Sequence, residues 1–192
     1  MECNFKNLSV AKFGGSLLDK EGRGIQKIID QIKAIKAKDA VGPVVVFSAP
    51  IGCTDELIRI GESHAQECGL SVNPVFEIYE RLTKMYVKDN WLKQAQEDLA
   101  NFKTLTQTAL NAVNKRFSGN VKARILTFGG EVPMACLMDY ILKSNDVDSY
   151  SLSTENWPIV TDDNFEDATP NYEKSKKRLH SITNLLEAGK VV

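Results

Sequence analysis

Val10-Ala11-Lys12-Phe13-Gly14-Gly15-Ser16 is the stretch that decides how this chain is read. An apolar run from Leu8 to Phe13 is interrupted by one lysine and closes on two glycines and a serine, and helix-forming sequence follows from about Gly22. The order is strand, tight glycine turn, helix. A strand that ends on glycines can offer backbone N–H groups to an anion, because no Cβ blocks the approach. Lys12 adds a point charge and Ser16 a hydroxyl. Together they suit a phosphate that is bound or in transit. On these residues alone a plain turn, with Lys12 at a sheet edge, is the competing account. The chain has no G-x-x-x-x-G-K-[ST] and no G-x-G-x-x-G, so neither a Walker loop nor a dinucleotide site has support.

Outward from the turn, Ile25, Ile28, Ile29, Ile32 and Ile35 recur at helical spacing with lysines between them. That is an amphipathic helix with one face on a sheet. Asp39 to Pro43 reads as a turn. Val44 to Ala49 is a short continuous apolar run, the pattern of a strand buried on both faces of a parallel sheet. Strand, helix and strand make a βαβ unit with a right-handed crossover. The second strand also ends in small and polar residues, Ser48 to Asp55. Thr54 is the expected N-cap of a helix from Glu56 to about Glu67. Two neighbouring strands thus carry hydroxyls and glycines at their C-terminal ends, where open α/β sheets bind ligands.

Residues from about Val72 to Lys115 read as helical throughout, with starts at Asn73-Pro74 and Asp89-Asn90. A helical insertion at about 70–120 is expected on an α/β core, and its aromatic and leucine stripes read as packing. Val121 to Phe128 fits a strand or the approach to a helix. Gly129-Gly130-Glu131-Val132-Pro133 is expected to open a helix to about Lys143, with Glu131 either a favourable first-turn charge or a ligand-facing carboxylate. Asp148 to Leu152 reads as a strand and Trp157 to Thr161 as a short extended run. Asp162-Asp163-Asn164 reads as a solvated turn, not a metal site. Asn171 to Ala188 reads as a helix capped by Gly189. Lys190 to Val192 looks like the start of a strand.

The 192 residues carry 24 basic and 25 acidic side chains, for a net charge of −1. That balance gives no argument for nucleic acid. Cys3, Cys53, Cys68 and Cys136 are scattered without a C-x-x-C, which fits a reducing cytoplasm and excludes a zinc or disulfide framework. His64 and His180 are the only histidines, which disfavours Ser-His-Asp or Cys-His chemistry. No stretch reads as long and apolar enough to cross a membrane, and no signal peptide is evident.

Four segments, in order, resemble the aspartate kinases of the amino-acid kinase family. Lys12-Phe13-Gly14-Gly15-Ser16 resembles their Lys-Phe-Gly-Gly-Ser/Thr. Val45 to Asp55 resembles Val-Val-Val-Ser-Ala-Met-Gly-Gly-Val-Thr-Asp, with departures at Pro50, Ile51 and Cys53. Phe128-Gly129-Gly130-Glu131 resembles Ser-x-Gly-Glu, with an extra glycine before the glutamate. Thr161-Asp162-Asp163-Asn164-Phe165, then Ala168 and Pro170, resembles a later segment before a helix. The first is the most specific.

The resemblance implies a three-layer αβα sandwich with a mainly parallel sheet, here the N-terminal, substrate-side lobe. It implies transfer of the ATP γ-phosphoryl, with Mg²⁺, to the side-chain carboxylate of L-aspartate, giving 4-phospho-L-aspartate at the head of lysine, threonine and methionine biosynthesis. It implies a catalytic, phosphate-binding Lys12 with Gly14, Gly15 and Ser16. It also implies a substrate region of Ser48, Ala49, Thr54 and Glu131, the last pairing with the aspartate amine. No metal ligand is assigned. L-aspartate and ATP are the expected partners, with a homo-oligomer in the cytoplasm and no nucleic-acid or membrane partner. The sequence stops before a Gly-Arg-Gly-Gly-Ser-Asp segment and before the nucleotide-binding half and regulatory ACT domains. The chain by itself is therefore expected to be inactive and to self-associate. A glutamate, acetylglutamate or carbamate kinase, or a non-catalytic ligand-binding lobe, are the alternatives.

Overall fold

The computed structural model describes residues 8–38, 41–165 and 167–192. Strand β1 (Val10–Phe13) leads through helix α1 (Ile25–Lys36) to β2 (Val44–Phe47). The two strands pair in parallel, Val10 opposite Val44 and Phe13 opposite Phe47. The sheet continues past β2. Val192 donates to Pro43 O at 3.1 Å and accepts from Val45 N at 2.8 Å. Val191 donates to Asp148 O at 3.0 Å and accepts from Tyr150 N at 2.8 Å, in a parallel bridge with Ser149. The spacing is that of a parallel ladder. Gly42 sits against the Lys190 backbone with no room for a Cβ, so glycine fixes this register.

Alternation along the strands separates two cores. Ala11, Phe13, Val45 and Phe47 face a large cluster that includes Ile25, Ile28, Ile29 and Ile32 of α1. The Phe13 and Phe47 rings stack at 5.7 Å. Each fully buried isoleucine contributes roughly 1.5–3 kcal/mol. On the other face Leu8 and Val44 pack with Ile182, Leu186 and Val192. Helix α7 (Tyr172–Glu187) supplies the first two of these. The layers are helices, parallel sheet and α7. Cover on the α7 side is partial: Val10 is 66% and Val46 40% exposed, above an apolar groove of about 560 Å³.

The remaining helices are α2 (Cys53–Ala65), α3 (Asn73–Tyr86), α4 (Asp89–Asn111), α5 (Gly119–Leu126) and α6 (Val132–Ser144), with a π-helical turn at Thr127–Glu131 between the last two. Helices α4 and α6 share a dense polar cluster. Asp98 accepts from the Tyr140 hydroxyl at 2.5 Å and the Cys136 thiol at 3.7 Å. Asp139 accepts from Lys143 Nζ at 2.7 Å and the Ser149 hydroxyl at 2.6 Å, and the Lys143 ammonium lies over the Trp91 and Tyr140 rings. Burial and the Asp98 carboxylate hold the Tyr140 hydroxyl far above its ordinary range.

The structure corrects several expectations. Helices α3 and α4 begin at the expected Asn73 and Asp89, but the helical stretch ends at Asn111, short of Lys115. Helix α2 starts earlier than expected: Gly52, at φ +78°, precedes its first turn, and Cys53 N donates to Pro50 O. Thr54 therefore lies inside the helix and caps nothing. Residues 121–128 are helical, and Gly129 opens no new helix. From Gly119 to Ser144 the chain is continuous helix. That helix is long and apolar enough to span a bilayer by composition, against the sequence expectation. Its Met134, Leu137, Met138 and Ile141 are instead the core of the fold. Asp148 to Leu152 forms only the bridge at Ser149 among the described residues. Trp157 to Thr161 makes only an antiparallel bridge from Thr161 to Pro170. Asn171 does cap α7, its side chain accepting from Lys174 N at 3.0 Å. Gly189 follows at φ +74°. Of the turn expected at 39–43, residues 39 and 40 lie outside the described residues.

Candidate functional site

Three segments meet at the C-terminal ends of β1 and β2, and Ala49 is where they touch. The first turn closes by Leu17 N donating to Gly14 O at 3.0 Å and Leu18 N to Gly15 O at 3.1 Å. Leu18 is buried and anchors the turn in the core. Ile51 N then donates to Leu18 O at 3.1 Å, tying the second turn to the first. A Cβ on Gly15 would stand 2.9 Å from Ala49 O, so glycine lets the two turns close. A Cβ on Gly130 would stand 3.5 Å from the Ala49 methyl, which brings the π turn to the same place.

The polar groups here are unspent. Lys12 extends from β1 and folds back over Gly14, its Nζ 3.3 Å from where a Cβ would be. It makes no ion pair among the described residues. The hydroxyls of Ser16, Ser48 and Thr54 have no hydrogen-bond partner among the described residues. The backbone hydrogen bonds of the turns leave the N–H groups of Gly14, Gly15 and Ser16 unused. A cation, three hydroxyls and free N–H groups around one glycine turn form a ready anion cradle.

Glu131 adds the opposite charge. Its surface reaches solvent, yet desolvation by the surrounding protein holds its carboxyl above the usual range, against a hydrogen bond from its own N–H. Its charge is felt at the buried Cys53 thiol. That thiol is pushed up to about 11, by burial first, with Lys20 opposing and Glu131 and Glu56 adding. Glu131 and Lys20 therefore both lie near the start of α2. The extra glycine seen in the sequence is accommodated by the π turn, which takes up one residue more than an α turn. Pro133 has no N–H, so the Gly129 carbonyl loses its usual donor four residues on. The hydroxyl of Tyr79, from α3, lies 3.1 Å from Gly129 O and 2.8 Å from Gly130 O and shares its one hydrogen between them.

All eight sequence-chosen residues, Lys12, Gly14, Gly15, Ser16, Ser48, Ala49, Thr54 and Glu131, lie on these three converging segments. Sequence reasoning missed two others. Lys20 places its Nζ 3.4 Å from the Cβ position of Gly52, a second cation beside the turn. A lysine four residues past Ser16 was a visible signal. Tyr79 gave none, because it sits in an apolar stripe and its partners are fifty residues away. No group of three or more His, Cys, Asp or Glu that could hold a metal exists among the described residues.

Residues 7–192 match the family model for the amino acid kinase family. The chain belongs to the amino acid kinase family. Among solved structures, E. coli aspartokinase III in complex with lysine and aspartate (T-state) superposes with a TM-score of 0.72 at 20% identity, covering 94% of this chain and 39% of that one. The same enzyme with aspartate and ADP (R-state) gives 0.64 at 22% identity, covering 93% and 39%. At these identities the likeness is one of fold, and the chain spans well under half the length of that neighbour. No curated protein sequence matches the chain. The parallel sheet and the strand-end turns are the parts of that fold this chain carries.

Proposed function

We propose that the strand-end site is the acceptor side of an aspartokinase-type reaction, in which the γ-phosphoryl of ATP passes to the side-chain carboxylate of L-aspartate. The observation that carries this is the convergence on Ala49 of a free lysine with a glycine turn, a hydroxyl-bearing turn and a glutamate. Phosphoryl transfer asks mainly for positioning and charge stabilisation. In this reading the acceptor carboxylate attacks the γ-phosphorus in line and ADP leaves. The Lys12 ammonium and the N–H groups of Gly14 and Gly15 hold the phosphoryl oxygens as charge builds on them. Ser16 reaches the same oxygens. Ser48, Ala49 and Thr54 line the acceptor, and Glu131 takes its ammonium group. Mg²⁺ enters as MgATP, held through phosphate oxygens as magnesium in such sites commonly is. A carboxylate acceptor is already ionised at neutral pH and needs no base. This agrees with a site whose converging segments carry no histidine. On the same reading the product feeds lysine, threonine and methionine synthesis in the cytoplasm, and the enzyme works as an oligomer.

The test is a coupled ADP-release assay on the protein encoded by the full reading frame, with MgATP and, in turn, L-aspartate, L-glutamate, N-acetyl-L-glutamate and carbamate. L-Aspartate should give the highest kcat/KM. Release at the same background rate with all four, or a clear preference for another acceptor, would overturn the assignment.

A further inference from the structure

The π turn that carries Glu131 is unusual in how its backbone is satisfied. Pro133 has no N–H, so the Gly129 carbonyl lacks the donor four residues on that an α turn would give it, and the turn sits in the core, with Gly129 and Gly130 both buried. A buried carbonyl without a donor is costly. The only side-chain hydroxyl bonded to either carbonyl, among the described residues, is that of Tyr79, which is itself fully buried. Its ring packs against Phe76 and is fixed by α3. Leu57 closes the other side, where a Cβ on Gly129 would stand 2.7 Å from its Cδ2. The turn is therefore clamped between α2 and α3, with one hydroxyl as its polar latch.

We infer that Tyr79 is a positioning residue: its hydroxyl latches the Gly129 and Gly130 carbonyls and so keeps the π turn that aims Glu131 at the strand ends. The argument is geometric. An α turn in place of the π turn would rotate the residue after it by about 100° around the helix axis. Glu131 would then turn away from its present place near Cys53 at the start of α2. Pro133 excludes the ordinary helical bond, and Tyr79 supplies the replacement. The two act as one device, although nothing in the sequence links them. The consequence for substrate binding rests on the reading of Glu131 as the partner of the acceptor's ammonium group.

Tyr79→Phe removes the hydroxyl and keeps the ring. In the protein encoded by the full reading frame it should raise KM for L-aspartate about tenfold, while KM for ATP and kcat stay within about threefold. The backbone ¹³C carbonyl resonances of Gly129 and Gly130 should shift as their donor is lost. Adding Pro133→Ala restores an N–H at 133, so the double variant should regain thermal stability by forming an ordinary α turn, yet keep the raised KM for L-aspartate. A purely structural tyrosine predicts otherwise: a lower melting temperature with KM for L-aspartate unchanged, or recovery of both in the double variant, and either result overturns the inference. Unmoved carbonyl resonances in Tyr79→Phe also overturn it. Glu131→Gln separates the two claims. If it leaves KM for L-aspartate unchanged while the Tyr79→Phe resonances move, the latch is upheld and only the role of Glu131 falls.

Discussion

Two groups of polar side chains show what this chain does with polarity. Between α4 and α6, Asp98, Tyr140, Cys136, Asp139, Lys143 and Ser149 are engaged with one another by hydrogen bonds and an ion pair. At the strand ends, Lys12, Ser16, Ser48 and Thr54 bond to nothing among the described residues. Buried polar groups must find partners or destabilise the fold. The first cluster meets that demand internally and so belongs to the architecture. The second sits at an open edge where water meets the demand, which leaves its donors free for a ligand. On the proposed reading, the contrast separates polarity that holds the fold together from polarity kept open for a ligand.

Breaking each side should have opposite signatures. The largest effect is expected for Lys12→Ala, which should lower kcat about a thousandfold, near 4 kcal/mol of transition-state stabilisation, with the urea midpoint unchanged. A near-native kcat would return Lys12 to a sheet-edge residue. Asp139→Ala should do the reverse. It strands Lys143 and Ser149 and should cost about 3 kcal/mol in urea unfolding, with kcat per folded molecule intact. If activity fell and stability held, the two clusters would have been assigned the wrong way round. Gly15→Ala lies between them. Its methyl would press on the Ala49 carbonyl and part the two turns, so kcat/KM should fall about thirtyfold for a stability loss of about 1 kcal/mol. The smallest effect concerns pH. Glu131 must be ionised to hold an ammonium group, and burial raises its carboxyl. KM for L-aspartate should therefore rise as pH falls, beginning above the ordinary glutamate range near 4.3. Glu131→Gln should raise KM about tenfold at neutral pH and flatten that dependence. A profile that is the same in both proteins would remove Glu131 from the site.

What was legible in the sequence follows the range of the interaction behind it. The β1–turn–α1–β2 unit was readable because its signals are local: a glycine turn, an isoleucine stripe and a β-branched run. The strand-end residues were readable for the same reason. Thr54 as an N-cap was not, because Gly52 in a left-handed conformation starts α2 two residues earlier, and residue type alone does not choose between the two starts. Residues 121–131 stayed ambiguous because their helix is stabilised from outside. Tyr79, on α3, satisfies carbonyls that a local reading counts as defects of a Gly-Gly-x-x-Pro stretch. The strand expected at 148–152 failed for a related reason. Extended sequence is paired only where a neighbour lies beside it, and among the described residues that neighbour is Val191, opposite Ser149.

That arrangement of strands also sets an order in time. β1 and β2 are joined by a single helix, so their pairing closes a short loop, whereas the Val191–Val192 segment returns to Pro43 and Val45 across a far longer stretch of chain. Long loops close at a higher entropic cost and slow the contacts that depend on them. We expect the βα unit to form the folding nucleus and the Val191–Val192 pairing to arrive after the barrier is crossed. Val191→Ala should then speed unfolding and leave the refolding rate nearly unchanged, whereas Ile28→Val should slow refolding. Stopped-flow kinetics on the two variants would show the sheet assembling from one side, and a slowed refolding limb in Val191→Ala would show instead that it closes as a whole.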